Sequence, residues 1–387
     1  MPGDEKRPMS GMRLVELELR RIALDLVTPF RTSFGTDLHR DILLARVGME
    51  GPHGIVDGWG ECVAGEEPAY SAEWVDGAQL VITDHLWPAL VDAAAVSGAT
   101  AASVTPSLER FTGHPMSKAV LEAAVLDAEL RASGSNLHAL FGGGRDRVPS
   151  GVSVGIFDSL DVLLTQVQGY LDDGYVRIKL KIEPGWDLEP VRLVRELIGP
   201  DLPLQVDANT AYDRGDIAHL CRLEEFDLLL IEQPLAEDDL LGHAQLAKAT
   251  TIPVCLDESI VSLRTASDAI DLGAAEIINI KPGRVGGYLT ARRIHDLCLS
   301  RGVPVWCGGM VETGIGRAAN AALAALPGFT LPGDISASAR FYARDIVTEP
   351  IVVVEGHVAV PTARGMGFEL DHDFLDSVTT SITTLKP

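Results

Sequence analysis

Five charged residues in the second half of the chain recur at nearly constant intervals. Lys181, Asp207, Glu232, Asp257 and Lys281 each end a short apolar run, and successive members are 24 to 26 residues apart. An ionised side chain that interrupts an apolar segment is costly unless it finds a partner, so such residues are informative. The interval matches one strand followed by one helix. The five side chains are therefore predicted to lie at one height, at the ends of successive strands.

The three carboxylates in this series indicate a metal site. Like charges on neighbouring strand ends repel one another and raise at least one carboxyl pKa, unless a cation lies between them. Carboxylate oxygens suit a hard divalent ion, so Asp207, Glu232 and Asp257 are predicted to bind Mg²⁺, with Mn²⁺ or another divalent ion as an alternative. Three separately solvated loop acids are the competing interpretation.

The run RIKLKI places two lysines on one face of a strand. Side chains of a strand alternate with a period of two, so Lys179 and Lys181 point the same way. Inside a barrel, each ammonium is expected to lower the pKa of the other toward that of a base. Only seven of the 32 lysines and arginines are lysine, so their use here indicates a need for titration. An exposed edge strand protected by lysines is the alternative.

Lys181 and Lys281 are predicted to flank the carboxylates from opposite sides. With a substrate carboxylate at the cation, one lysine removes the α-proton from one face, and the other faces the opposite side of the planar enediolate. The cation is needed because a proton next to a carboxylate is otherwise too weakly acidic. A simple ion pair between Lys281 and Asp257 or Glu258 is the structural alternative. The residues therefore predict metal-assisted abstraction of a proton α to a carboxylate.

Eight short β-rich runs alternate with helix-length amphipathic stretches from about residue 148 onward, a pattern that predicts a parallel α/β barrel. The runs occupy residues 148–156, 175–182, 202–208, 228–234, 252–259, 276–282, 303–309 and 329–335. A doubly wound open sheet is the rival, but no G-x-G-x-x-G follows the first strand.

The segments on either side of these runs have a different pattern of apolar residues. Residues 1–147 mix alternating apolar runs with helical stretches and are predicted to form an α+β capping domain. Residues 148–345 form the predicted catalytic barrel. Residues 346–387 return to short strands, which are expected to pack back on the capping domain.

Composition restricts the partners. The net charge is −23 and no basic tract exceeds two residues, so neither nucleic acid nor an acidic membrane surface is an expected partner. The opening MPGDEKRPMSGM lacks the apolar segment of a signal peptide, and no stretch approaches the roughly 18 apolar residues of a membrane span. Five widely spaced cysteines indicate reduced thiols. A cytoplasmic enzyme that acts on a small carboxylate is expected.

The same residues carry a resemblance that covers nearly the whole chain. Five motifs resemble those of the enolase superfamily: K-x-K at 179–181, D-A-N at 207–209, E-Q-P at 232–234, D-E-S at 257–259 and I-K-P-G-R-V-G-G at 280–287. Four further segments resemble the o-succinylbenzoate synthase and N-acylamino acid racemase family, in the muconate-lactonizing-enzyme-like subgroup: GWGECV at 58–63, VRIKLKIEPGWD at 176–187, WCGGMVETGIGRAAN at 306–320 and LPGDISAS at 331–338.

This resemblance implies a fold, a reaction and roles. The fold is a modified (β/α)8 TIM-type barrel, (β/α)7β, with an α+β cap, and homo-oligomers are expected. The three carboxylates bind Mg²⁺, with Glu258 in a supporting position. Lys181 is the base on one face, Lys281 is the acid or base on the other, and Lys179 tunes Lys181. The implied reactions are dehydration to o-succinylbenzoate, racemisation of N-succinylamino or other N-acylamino acids, or both at one site.

Substrate contacts are also implied by the resemblance. They are Ser153, Asn209, Gly309, Met310 and Val311, with Phe34 and Phe341 enclosing the apolar part. Two lid loops, residues 28–36 and 62–70, are expected over the barrel mouth, where they exclude water. The second loop departs from the family pattern, because Gly65 stands where a large apolar residue, often methionine, is expected. A roomier or more mobile pocket is predicted.

Rival functions remain at this point. A muconate cycloisomerase or a dipeptide epimerase shares the lysines and ligands, although a single Asp334, without an Asp-x-Asp, weakens the epimerase interpretation. A carboxylate-ligand metallohydrolase normally recruits several histidines, and the histidines here avoid the strand ends. A barrel that binds a metal or ligand without catalysis is the alternative from another class.

Overall fold

The computed structural model describes residues 11–387. Residues 1–10, which hold most of the opening segment examined for an export signal and the start of the predicted capping domain, lie outside the described residues. The strands are β1 (Arg13–Thr32), β2 (Gly35–Gly51), β3 (Gly54–Cys62), β4 (Arg147–Pro149), β5 (Val152–Val154), β6 (Ile178–Lys181), β7 (Leu204–Asp207), β8 (Ile231–Glu232), β9 (Val254–Leu256), β10 (Ile277–Ile280), β11 (Val305–Cys307), β12 (Val353–Val354), β13 (His357–Ala359) and β14 (Thr379–Leu385).

The α-helices are α1 (Val75–Val81), α2 (Trp87–Ser97), α3 (Ala101–Ser107), α4 (Pro115–Ser133), α5 (Leu137–Leu140), α6 (Leu160–Asp172), α7 (Leu188–Ile198), α8 (Ile217–Leu220), α9 (Leu240–Ala249), α10 (Leu263–Asp271), α11 (Tyr288–Arg301), α12 (Gly314–Ala324) and α13 (His372–Val378). A π-helical turn (Ile82–Leu86) joins α1 to α2, and 3-10 turns cover Arg214–Asp216, Cys221–Phe226 and Ser338–Arg340. Within residues 11–387, no helix is both long and apolar enough to cross a membrane.

Strands β5 to β11 form one parallel sheet in sequence order. Every residue of β6, β7 and β10 is buried, as expected for strands that are covered on both faces. Helices follow most of these strands along the chain, and the strand order never reverses as it does at the switch point of a doubly wound sheet. The barrel prediction is confirmed, and the doubly wound alternative is wrong.

The eighth predicted strand, residues 329–335, is not a regular strand. Phe329 forms an isolated parallel bridge with Val305, and Gly333 forms one with Ser150. Pro332 has no N–H to donate, which interrupts a continuous ladder between these points. The two bridges connect β11 to the residues just before β5, so this segment still closes the barrel.

A four-stranded antiparallel sheet in the order β14-β1-β2-β3 packs against α4. A Cβ at Gly58 would lie 2.1 Å from the carbonyl oxygen of Ala124, so the glycine allows the close approach of helix and strand. Asp127 of α4 accepts hydrogen bonds from the backbone N–H groups of Trp59 and Met366. One carboxylate thus joins this sheet to the C-terminal segment.

The C-terminal segment divides between two sheets. β14 pairs with β1 of the four-stranded sheet. β12 and β13 instead form a three-stranded sheet with β4, just before the barrel begins. The tail therefore contacts both the capping sheet and the base of the barrel.

Residues 28–36, expected to be a lid loop, are the tip of a β-hairpin. β1 continues to Thr32 and β2 begins at Gly35, because the two strands pair through Thr32 and Gly35. The backbone oxygen of Arg31 accepts a hydrogen bond from Ile156 N at 3.0 Å, and Ser33 Oγ donates to Asn209 O at 2.9 Å. These contacts dock the hairpin tip on the barrel.

Candidate active site

The five periodic residues lie together at the carboxyl ends of the barrel strands. Lys181, Asp207 and Glu232 are the last residues of β6, β7 and β8, and Asp257 and Lys281 directly follow β9 and β10. All five are at most 7% exposed. Since parallel strands end on one rim, equal spacing in the sequence has become proximity in space.

The two lysines of RIKLKI both point into the barrel. Lys179 Nζ lies 3.1 Å from Asp207 Oδ2, 3.0 Å from Glu232 Oε2 and 2.6 Å from Asp334 Oδ2. Lys181 Nζ lies 2.6 Å from Asp207 Oδ2 and donates to Asn209 Oδ1 at 2.6 Å. β6 lies between β5 and β7, so the exposed-edge alternative is wrong.

The expected depression of the Lys179 pKa is wrong in this arrangement. Burial disfavours the ammonium, but Asp334, Glu232 and Asp207 together outweigh burial and raise the Lys179 pKa above its ordinary value. The prediction considered only repulsion between two lysines. Three carboxylates around one ammonium reverse the sign, so Lys179 stays charged.

Lys281 occupies the other side of the carboxylate cluster. Its Nζ lies 2.7 Å from Asp257 Oδ2 and donates to the hydroxyl of Tyr70 at 2.8 Å. Lys181 contacts Asp207, whereas Lys281 contacts Asp257. The two lysines therefore approach different members of the cluster, and the two-base hypothesis stays a prediction.

Repulsion within the carboxylate cluster is visible in its pKa values. Burial, followed by the charge of Asp207, raises the pKa of Glu232 to about 8. Burial and Asp257 raise the pKa of Glu258 well above its usual range, while Asn209 Nδ2 donates to Glu258 Oε1 at 2.8 Å. A cation among these groups would lower the pKa values by favouring the charged forms.

The donor set fits a hard divalent cation. Asp207, Glu232 and Asp257 offer only oxygen, are at most 1% exposed, and Asp257 Oδ1 is buried without a hydrogen-bond partner. Among residues 11–387, no three His, Cys, Asp or Glu side chains already form a metal-binding group. The ammonium groups of Lys179 and Lys281 contact the carboxylate oxygens of Glu232 and Asp257, where a metal ion would bind. The assignment of these three residues as ligands stays a prediction.

Backbone strain is concentrated beside the cluster. Asn209 (φ 42°), Gln233 (φ 37°) and Val311 (φ 59°) adopt the left-handed region. This region is uncommon for non-glycine residues and is disfavoured most for a β-branched side chain such as valine. Strained residues of this kind persist where the surrounding structure holds them, often at functional sites. Asn209 and Val311 were both predicted substrate contacts.

The predicted substrate contacts divide between two cavities, both lined by Lys181 and Lys281. A cavity of about 330 Å³ is lined by Asn209, Gly309, Met310, Val311, Phe34 and Gly65. A smaller one of about 40 Å³ is lined by Ser153, Gly309, Val311 and Phe341. Phe34 and Phe341 therefore do not enclose one space, and Phe30, which was not predicted, lines both. Ser153 Oγ is buried without a hydrogen-bond partner, which leaves it free for a ligand.

Several site residues were missed by sequence reasoning. Tyr70, in the second lid segment, donates to Asp257 Oδ2 at 3.2 Å, and its ring packs edge-on against Phe34 of the hairpin tip. The Arg284 guanidinium lies 4.5 Å from the Tyr70 ring centre, and burial lowers the Arg284 pKa to about 9. Arg284 belongs to the I-K-P-G-R-V-G-G motif, which was a usable signal. Tyr70 ends the second predicted lid segment, but its contacts with Lys281 and Asp257 cross between distant parts of the chain and were not predicted.

The fold and the site define a barrel enzyme whose buried carboxylates lie between lysines at the carboxyl ends of the strands. Residues 162–374 match the family model described as Enolase C-terminal domain-like. The chain belongs to this family, within the enolase superfamily, whose enzymes generally use a divalent metal.

Individual relatives agree with this assignment. An N-succinylamino acid racemase of Amycolatopsis sp is 60% identical over 370 residues, which cover 96% of this chain and 98% of that protein. An o-succinylbenzoate synthase of Geobacillus kaustophilus is 45% identical over 357 residues, covering 91% and 92%. A crystal structure of an enolase superfamily member from Listeria innocua matches with a TM-score of 0.91 at 37% identity, covering 97% and 99%.

Proposed function

We propose that this enzyme racemises N-succinylamino acids by removing and returning the proton α to a carboxylate. The observation that carries the proposal is the placement of Lys181 and Lys281, which line one cavity but contact different carboxylates, Asp207 and Asp257. The racemase of Amycolatopsis, at 60% identity, supports the choice of substrate. A racemase must act on both faces of its substrate, and two separately placed lysines meet that need.

The residues divide the work as follows. Asp207, Glu232 and Asp257 would hold Mg²⁺, which supplies positive charge to stabilise the charge developing on the substrate carboxylate. Lys181 and Lys281 alternate as base and acid on the two faces. Lys179 lies 3.1 Å from Asp207 Oδ2 and 3.0 Å from Glu232 Oε2, where its ammonium contributes positive charge beside two of the carboxylates.

Formation of o-succinylbenzoate is the second candidate, because relatives at 41–45% identity carry that name. Lys181 and Lys281 could also catalyse this dehydration, since it too begins with loss of a proton α to a carboxylate. Dipeptide epimerisation is disfavoured by the structure. Asp334, the one acid near the eighth run that could hold a free ammonium, is already paired with Lys179 and Arg177.

Proton NMR in D₂O with Mg²⁺ tests the proposal. Both enantiomers of an N-succinylamino acid are expected to lose their α-proton signal, and optical rotation is expected to decay to zero. An ultraviolet assay for o-succinylbenzoate, run on the same protein, ranks the second activity. Absence of exchange and of dehydration in folded, metal-loaded protein would reject both reactions.

Gly65 is expected to set the size of the substrate that the enzyme accepts. Its backbone is not left-handed, and an added Cβ would meet only Glu67 O, at 3.4 Å, so a side chain fits there. Gly65→Met should fill part of the 330 Å³ cavity and shift the kcat/KM ratio for large over small amino-acid side chains downward by about 10-fold. Gly65→Ala is the matched control. Unchanged kinetics on every acyl-amino acid tested would contradict this role.

A further inference from the structure

Arg40 lines the same cavity as Lys181 and Lys281. It belongs to β2 and is 9% exposed. Its Nη2 makes two long hydrogen bonds, 3.5 Å to Val63 O and 3.3 Å to Ala64 O, and its Nε is buried without a partner. Among residues 11–387, no carboxylate lies within 4.0 Å of its guanidinium.

The state of Arg40 differs from that of a structural arginine in the same region. Arg317, beside the smaller cavity, donates to Glu312 O at 2.8 Å and to Ser336 O and Oγ at 2.7 and 3.1 Å. Those bonds compensate for burial. Arg40 keeps donors unsatisfied, and a buried cation without a partner is costly, so an anionic ligand group would be bound favourably there.

Acidic side chains at the cavity mouth do not supply that group. Asp37, Glu66 and Glu67 also line the cavity, but all three are exposed to solvent. Glu66 is directed to His39, with Glu66 Oε1 3.0 Å from His39 Nε2. Water and salt screen exposed charges strongly, so these acids neither neutralise Arg40 nor exclude an anion held beside it.

We infer that Arg40 binds the terminal carboxylate of the substrate's acyl group and so selects acyl chains that end in a carboxylate. This inference rests on the proposed function, which places the other substrate carboxylate at the metal. The substrates of both candidate reactions carry a succinyl group, a four-carbon acyl chain with a free carboxylate at its end. Arg40 is the cavity's cation that the proton-transfer chemistry does not use. Its planar guanidinium suits a carboxylate.

The test compares two substrates of one apolar amino acid, the N-succinyl derivative and its analogue with the distal carboxylate replaced by a carboxamide. Arg40→Met keeps the apolar stem and removes the charge. The ratio of kcat/KM for the carboxylate over the carboxamide substrate is expected to fall by about 10- to 100-fold, the effect of losing a charged hydrogen bond. The loss is expected mainly in KM, and Arg40→Lys is expected to recover part of it. Arg301→Met, at the exposed end of α11, is the control.

Each outcome has one meaning. An unchanged substrate ratio, whether the variant is fully active or slowed equally on both substrates, would overturn the inference and leave Arg40 as a tether for Val63 and Ala64. A wild-type protein that racemises neither substrate would overturn the proposed function instead. Circular dichroism and thermal melting of the Arg40→Met protein separate misfolding from selective loss, and Arg40→Lys provides a second reading if that protein fails to fold.

Discussion

Replacing either Lys181 or Lys281 by alanine is expected to lower the racemisation rate by about 10²- to 10⁴-fold, the usual loss when a general acid or base is removed. Each variant should nevertheless exchange the α-proton of one enantiomer in D₂O. The remaining lysine can remove the proton on its own face and return deuterium to that face. The two variants should therefore retain opposite enantiomers, because the proposed function places Lys181 and Lys281 on opposite faces of the substrate.

Two further variants separate the loss of a base from the loss of charge. Lys181→Arg keeps a cation near Asp207 but cannot act as a base at ordinary pH. It should show the same pattern as Lys181→Ala. Lys248→Ala, at the exposed end of α9, is the matched control and should behave as wild type. If both alanine variants exchanged the same enantiomer, or either racemised at the wild-type rate, the two-base assignment would be wrong.

The second large effect is expected at the predicted metal ligands. Asp257→Asn retains the shape of the side chain but removes the charge of a fully buried carboxylate, whose Oδ1 accepts no hydrogen bond and lies 3.4 Å from Arg284 Nε. Calorimetric titration should show that Mg²⁺ binding weakens by more than the roughly 10- to 100-fold that follows loss of an outer-shell partner. The racemisation rate should fall as Mg²⁺ binding weakens, since the substrate carboxylate loses its cation.

Thermal melting gives a readout that does not depend on turnover. Mg²⁺ at 100 times its dissociation constant should stabilise the wild-type protein by about 2.7 kcal/mol, because the ion binds the folded state. The Asp257→Asn protein should show no such rise in Tm at the same concentration. Asp271→Asn, an exposed carboxylate at the end of α10, should respond as wild type. Mg²⁺ binding of equal strength in the Asp257→Asn protein would remove Asp257 from the ligand set.

The central site was largely predictable from the sequence. The regular spacing of Lys181, Asp207, Glu232, Asp257 and Lys281 requires only that each strand-helix unit has a similar length. Once the barrel forms, that spacing brings the five residues to one rim. The direction of the Lys179 side chain followed equally from the two-residue period of a strand. The pKa of Lys179 could not be predicted in this way. Asp334 is 155 residues away in the chain, and only the fold brings its charge close to Lys179.

The lid was less predictable. Residues 28–36 were expected to be a loop, but pairing with the next strand extends β1 to Thr32 and makes them a hairpin tip. The eighth run was expected to be a strand, but Pro332 reduces it to isolated bridges. Local composition indicated where these segments lie in the chain. Whether each pairs continuously depends on partners that local patterns do not reveal.

By itself, the sequence determined the barrel, the positions of the three carboxylates and the lysines, and the class of chemistry, because each depends on local periodicity or on the spacing of strand ends. Only the tertiary structure decided which side chains meet across segments. Tyr70 reaches Lys281 and Asp257, and Arg40 lines the cavity beside both lysines with no carboxylate of residues 11–387 paired to it. Such contacts depend on how the capping sheet and its hairpin sit over the barrel. The physical reason is that a charge acts through distance in space, which residue spacing predicts only within a regular repeat.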